Sequence, residues 1–472
     1  MISKPRKVIN LFSLTMINVA AVVSLTNLPI MAEEGLSSVF FYFIAGFCFF
    51  IPVSLVSAEL ATGWPSQGGV YTWVKAAFGR RAGFIALWLQ WMENVIWTPT
   101  VLSLASVAIA YVVAPQWATN KYYLLISILV IFWGCTVANL LGMRASNLIS
   151  TVGVILGTLI PGAVIIVMGI AWFFFGKPSQ ITFTWQGVLP NLTHLNNLVF
   201  LTGVLLGMSG MEMSAVHAKD VKDPEHSYPK AIFSATTIIL ILLIFGSLSI
   251  AILVPKAKLD IVAGVMQAFS DFFKAYHVPQ FTKAMAILIA IGVISMVSTW
   301  IVGPAKGFLK TAVEGEIPPF FQKMNKNNMP VRIIIAQAGF LTLLSLAFLL
   351  MPNVSSSYWV LTDLASQLYM IMYVLLFLAG IRLRYTKPRL KRVYRIPGKR
   401  NRGMWIVAVI GIVTAIFALA IGFIPPADLK TGGLFGYEAF LIGGIILMLL
   451  LPNWIHSVRK ASWKGHITRR HL

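Results

Sequence analysis

The sequence predicts an all-α polytopic membrane protein, and three observations carry that prediction. Hydrophobic residues make up 58% of the 472 positions and charged residues only 11%, whereas a soluble domain carries about 25% charged residues. The apolar residues gather into runs long enough to cross a bilayer as helices, which takes about 20 residues each, so the chain has room for about twelve crossings. The basic residues alternate with these runs: counted loop by loop, about 30 fall on the face bearing both termini and about 7 on the other, the bias of the positive-inside rule. Both termini are therefore expected in the cytoplasm. The same distribution argues against the nucleic-acid partner that a net charge of +22 would otherwise suggest. The lipid bilayer is the expected partner, with the densest basic cluster, Arg382 to Arg402, touching anionic headgroups.

Taken in order, the spans are expected at 9–31, 37–62, 82–113, 122–142, 150–175, 197–217, 231–254, 282–310, 331–351, 358–381, 404–424 and 433–456. Span 1 follows Lys4, Arg6 and Lys7 and lacks a small-residue cleavage site, so it reads as a retained helix. Span 2 ends in SAELATGW, where Glu59 can reach water or pair with a Lys or Arg as a structural or gating ion pair. The polar, Gly-rich PSQGGVYTWVKAAFGRR that follows is expected along the interface, anchored by Tyr71, Trp73 and Phe78. Span 3 contains LWLQWMENVIW, in which Trp91, Asn94 and Trp97 offer apolar walls and an amide around Glu93, a mixture that suits a pocket; the Trp residues also suit packing. Cys48 and Cys135 lie within apolar spans, so neither a disulfide nor a metal site is expected. Span 8 carries Trp300 beside a Gly303-Pro304 bend, and span 10 carries Asp363 near its outer end, an external gate or a solvated cap. No loop is long enough to fold by itself, leaving one transmembrane domain over 1–472.

Spans 1 and 6 are unusual. Span 1 places Ser24, Thr26, Asn27 and Pro29 within one and a half turns, and Pro29 removes a backbone donor. Span 6, GVLLGMSGMEMSAVH, places Gly203, Gly207 and Gly210 just before Glu212. Interrupted helices at corresponding positions of two halves indicate an inverted repeat with the substrate at the breaks, 8–175 against 197–385, with 404–456 as two additional helices. Unwound backbone in hydrocarbon needs partners, and a zwitterionic amino acid supplies them. The same glycines and proline also fit helix packing and kinks.

Several segments resemble the amino acid–polyamine–organocation transporters, and within them the bacterial glutamate/γ-aminobutyrate antiporters: IPVSLVSAELAT, GGVYTWVKAAFG, GMEMSAVHAKDVKDPEHSYPKAI, STWIVGPAKG and PPFFQKMNKNNMPV. The resemblance implies a leucine-transporter-type fold of ten core helices in a 5+5 inverted repeat plus two further helices, with helices 1 and 6 broken. It also implies a bacterial inner-membrane exchanger working by alternating access. The substrate's backbone groups would then meet Ser24, Leu25, Thr26 and Asn27 in helix 1 and Gly207, Ser209, Gly210 and Glu212 in helix 6. Helices 3, 8 and 10 would supply the side-chain pocket, with Trp91, Glu93 and Asn94 from helix 3 and Met296 and Trp300 from helix 8. Two positions depart from the antiporter pattern, which has an acid where this chain has Met296 and an uncharged polar residue where it has Glu93. These departures pull substrate charge in opposite directions.

Glu212 is a mid-span carboxyl, which normally faces a cavity or a partner; it suits an ammonium group or a change of protonation, or a local bond to helix carbonyls. His217 suits a pH sensor or an interfacial residue among Lys219, Asp220 and Lys222. The expected activity is amino acid antiport, an amino acid entering as a related or decarboxylated amine leaves; proton-coupled symport on the same fold is the alternative. A membrane-embedded transferase is the reading from another class, but HExxH, GxSxG and P-loop patterns are absent. No enzyme activity, cofactor or metal is expected. Spans 11 and 12 leave a surface on which a homodimer could form.

Overall fold

Asn10 opens the first helix, its Oδ1 accepting the Ser13 N–H at 2.8 Å. This helix, α1 (Leu11–Val22), stops where Val23 and Ser24 turn extended. Ser24 Oγ then caps a short 3₁₀ turn, and α2 (Leu28–Ala32) resumes with Pro29 in its first turn, where a missing N–H breaks no helical bond. The computed structural model describes residues 9–64, 68–141, 153, 155–190, 198–214, 221–426 and 434–464.

From there the chain runs through α3 (Gly35–Gly63), α4 (Gly69–Phe78), α5 (Arg80–Val113), α6 (Lys121–Leu140), α7 (Ile155–Phe174), α8 (Leu201–Gly207), α9 (Met211–Ser214), α10 (Pro224–Leu253), α11 (Gly264–Ala275) and α12 (Phe281–Val313). It ends with α13 (Val331–Leu350), α14 (Val354–Thr386), α15 (Arg402–Ile421) and α16 (Gly436–Ser457). Among the described residues, ten helices are long and apolar enough to cross a membrane, and they fall on ten of the expected spans to within a turn or two. The other two expected spans, 9–31 and 197–217, hold the interrupted pairs α1/α2 and α8/α9. Two spans accommodate internal prolines through a π turn immediately before them: Gly46–Phe50 ahead of Pro52 and Ile155–Leu159 ahead of Pro161.

The centre is built by α5 and α14, each 78% buried over its most apolar stretch, against 17% for α16, which therefore lies at the lipid-facing edge. Helix α5 packs along α12 and α14, and α1 packs along α10. Where α7 crosses α12 the backbones touch: a methyl group on Gly157 would sit 2.2 Å from Gly292 Cα, the close approach small residues permit in membrane helices.

Two elements differ from expectation. Helix α11 buries Val265, Met266, Phe269, Phe272 and Phe273, and a hydropathy window of about 19 residues overlooks so short an amphipathic helix. Helix α4 lies within the polar PSQGGVYTWVKAAFGRR stretch, but Tyr71 and Trp73 are each 1% exposed. They anchor it to the protein and not to headgroups: Tyr71 Oη donates to Glu314 Oε2 at 2.5 Å, Lys75 pairs with the same carboxylate, and Trp73 Nε1 donates to the Trp64 carbonyl at 3.4 Å.

Candidate functional site

The two interruptions meet. A cavity of about 30 Å³ lies between them, walled by Val22, Val23, Ser24 and Asn27 on one side and by Leu206, Gly207, Ser209 and Gly210 on the other. Glu93 and Trp97 of α5, Met296 and Trp300 of α12 and Tyr369 of α14 complete the wall. A single water needs at least about 10–15 Å³ on this scale, so the cavity admits one or two waters and its walls must part to take an amino acid.

Each break has a local cause. Gly210 sits at φ +108°, a conformation open to glycine and strained for other residues. Its N–H, released from the helix, donates to Tyr373 Oη at 2.8 Å. Gly207 makes room for Asn27: a methyl group there would fall 2.0 Å from Asn27 Nδ2. The hydroxyls at the breaks are engaged locally, Ser24 Oγ with Thr26 Oγ1 at 2.8 Å and Ser209 Oγ with the Leu205 carbonyl at 2.7 Å. By contrast, the Glu93 carboxyl and the Asn27 amide, both buried, make no hydrogen bond to the described residues. One acceptor and one donor thus stand on the wall without a partner among the described residues, able to meet the ammonium and the carboxylate of an amino acid.

The family model for amino acid permeases matches residues 9–447. The chain belongs to the amino acid permease family. It is similar to an uncharacterized transporter of Legionella pneumophila, 46% identical over 96% of this chain and 97% of the relative. It is also similar to a glutamate/γ-aminobutyrate antiporter of Lactococcus lactis, 31% identical over 98% and 92%, and to a probable agmatine/putrescine antiporter of the same species, 23% identical over 78% of each chain. This permease is a multi-pass membrane protein, and its family and relatives are transporters, not enzymes.

Of the residues singled out in the sequence, the cavity brings together Ser24, Asn27, Gly207, Ser209, Gly210, Glu93, Met296 and Trp300. Glu212 lies behind the wall: Tyr369, Tyr373 and Gln90 all donate to its carboxyl, the last two at 2.7 and 2.9 Å. The three donors engage both carboxyl oxygens and tie α9 to α5 and α14. Leu25 and Thr26 also sit behind the wall, the Thr26 carbonyl accepting from Tyr358 Oη at 3.1 Å. Trp91 is a packing residue, stacked on Phe308 at 4.5 Å with Nε1 donating to Gln337 Oε1 at 3.2 Å. Asn94 is buried off the cavity wall. Helical spacing separates the two tryptophans expected around Glu93: Trp97 is four residues after it, on the same face, whereas Trp91 is two before it, on the opposite one. Tyr369 comes from α14, the tenth span and the third helix of the expected pocket.

Glu59 is fully engaged. Arg384 Nε and Nη2 donate to its two oxygens at 2.6 and 2.5 Å, the Ile396 N–H at 2.8 Å, and Arg392 Nε stands 3.3 Å away. This clamp pins the α14–α15 loop to the end of α3. The solvated-cap reading of Asp363 is overturned: the side chain is fully buried, and Oδ2 accepts from Tyr437 Oη of α16 at 2.8 Å. A tyrosine 74 residues away in sequence, placed by tertiary packing, supplies the partner that water was expected to supply. His217 lies outside the described residues. Among the described residues, no group of three or more His, Cys, Asp or Glu side chains converges to hold a metal.

Proposed function

We propose that this permease is an amino acid antiporter of the glutamate/γ-aminobutyrate type, exchanging an amino acid for a related amine by alternating access. The observation that carries the proposal is the cavity shared by both interruptions, with Glu93 and Asn27 on its wall and unpartnered among the described residues. The end of α1 directs its last carbonyls, the negative pole of the helix, to the same place. The substrate ammonium lies against Glu93 and those carbonyls, and the carboxylate against the Asn27 amide. Counting each interrupted segment as one crossing gives twelve, arranged as the 5+5 inverted repeat of a leucine-transporter-type fold, with 8–175 and 197–385 as the repeats and 404–456 outside them. The protein resides in a bacterial inner membrane with both termini cytoplasmic.

The similarity to the Lactococcus lactis antiporter supports exchange. Among the described residues Glu93 is the acid on the wall, and Met296 faces the same cavity, so the carboxyl that the antiporter pattern carries on helix 8 is replaced by one on helix 3. A second reading, proton-coupled symport, is favoured by the same carboxyl, because no hydrogen bond from the described residues would be lost if it took up a proton. Purified protein in liposomes separates the two. Uptake of labelled glutamate or γ-aminobutyrate that requires unlabelled amino acid or amine inside supports exchange. Accumulation into empty liposomes driven by an imposed proton gradient refutes it in favour of symport.

A further inference from the structure

A second and larger cavity, of about 870 Å³, lies on the basic face between α3, α10 and α15, and shares no lining residue with the central one. Its polar wall is the loop joining α14 to α15. Arg392 is committed there, paired with Glu59 and donating to the Leu383 carbonyl at 2.8 Å. Lys391 makes no hydrogen bond or ion pair to the described residues, and Arg395 makes only a long contact, 3.5 Å, to the Arg400 carbonyl. The acid on the rim is Glu225, in the first turn of α10. Three cations therefore face one anion.

The opposite wall is apolar and turned to lipid. Phe233 is 53% exposed and Ile406 61% exposed, with Leu55 and Val407 beside them. Phe233 stands nine residues into α10, which at 1.5 Å per residue is about 13 Å from the helix start. The cavity thus runs from loop level down into the hydrocarbon. A free phosphate would find two cations and no use for the apolar half, whereas an amphiphile fills both halves. Basic pockets between membrane helices take anionic headgroups in this way.

We propose that this cavity binds one anionic diacyl phospholipid, its phosphodiester between Lys391 and Arg395 and an acyl chain along Phe233 and Ile406. The bound lipid sits against Arg392 and so braces the clamp on Glu59. This goes beyond diffuse attraction of the basic loop to the membrane, because a discrete site distinguishes among the loop's charges.

The test is native mass spectrometry of the full-length protein in detergent, with phosphatidylglycerol, phosphatidylcholine or phosphatidylethanolamine added at equal concentration. Wild-type protein is expected to retain one phosphatidylglycerol under conditions that strip the other two. The double variant Lys391→Gln/Arg395→Gln should lower that occupancy about tenfold or more. The matched variant Lys387→Gln/Arg389→Gln removes the same charge from the same loop outside the cavity and should leave occupancy unchanged. Ile406→Trp, which keeps both cations and fills the apolar half, should also lower it. Equal occupancy in all variants, or equal or better retention of either zwitterionic lipid, would overturn the proposal. Displacement of the lipid by equimolar inorganic phosphate would instead assign the cavity to a soluble anion.

Discussion

Replacing Gly207 with alanine places a methyl group 2.0 Å from Asn27 Nδ2 and 2.9 Å from Asn27 Cγ. Ordinary contact begins at 3.4 Å, so the amide must retreat by about 1.4 Å, the difference between the two distances. A retreat of that size exceeds what a hydrogen bond tolerates, since N–H···O distances span about 2.7–3.2 Å. If Asn27 holds the substrate carboxylate, the loss is that of a hydrogen bond to a charged group, about 1.5–3 kcal/mol. At 1.4 kcal/mol per decade this weakens apparent affinity about ten- to a hundredfold. The displaced atom is the far end of a side chain, so the fold should survive, and the thermal midpoint in detergent should move little. The assay is the substrate dependence of exchange in proteoliposomes for Gly207→Ala, Asn27→Ala and the double variant. Both substitutions act on one contact, so the double variant should be no worse than Asn27→Ala alone. Exchange by Gly207→Ala with wild-type affinity would refute the role given to Asn27, and full additivity would show that Gly207 acts elsewhere.

Glu93→Gln should cut exchange by about ten- to a hundredfold through the same loss of a charged hydrogen bond, without unfolding the protein, because the carboxyl has no bond to the described residues that its removal would orphan; a parallel fall in thermal midpoint would contradict this. Glu212→Gln turns an amide N–H₂ toward one of three donors and should cost about 1–3 kcal/mol of stability, read as a lowered midpoint; transport and stability unchanged between pH 5 and 8 would refute it. Glu59→Ala strands Arg384, whose side chain is 2% exposed, and should destabilise by about 3–5 kcal/mol, measured by thermal unfolding in detergent. At the α12 terminus burial pushes the Glu314 carboxyl up, but hydrogen bonds from Lys75 and Tyr71 outweigh it and hold the group below its ordinary 4.5. The stabilisation is therefore fully present above about pH 4.5 and lost as pH falls below it, so Glu314→Gln should flatten the acid limb of a stability-versus-pH curve; an unchanged limb would count against the ion pair.

Much of this architecture is legible in the sequence because the bilayer imposes length and polarity on each span. The two interruptions were also legible, since Pro29 and Gly210 mark places where backbone geometry, not partner choice, decides. What the sequence left ambiguous was which way a helix faces. Trp91 and Trp97 belong to one apolar run, and only the position of Glu93 on the cavity separates the packing residue from the wall residue. Met296 and Trp300 share the four-residue spacing of Glu93 and Trp97 and line the same space. Glu212 stands two residues beyond Gly210, whose positive φ redirects the chain, so a carboxyl that reads as facing the substrate meets two tyrosines and a glutamine. Those partners lie on α14 and α5, more than 120 residues away for Gln90 and more than 155 for Tyr369, a distance at which local pattern carries no signal. Asp363 and Tyr437 illustrate the same limit.

The central claim is that one amino acid lies between the two interruptions, its ammonium at Glu93 and its carboxylate at Asn27. A cryo-electron microscopy map of the wild-type protein saturated with the amino acid it exchanges tests this most directly. The account predicts density bridging Glu93 and Asn27 within an enlarged cavity, and no such density in Glu93→Gln prepared alongside. Density seated instead against Glu212, or outside the space between residues 22–27 and 206–210, would contradict it.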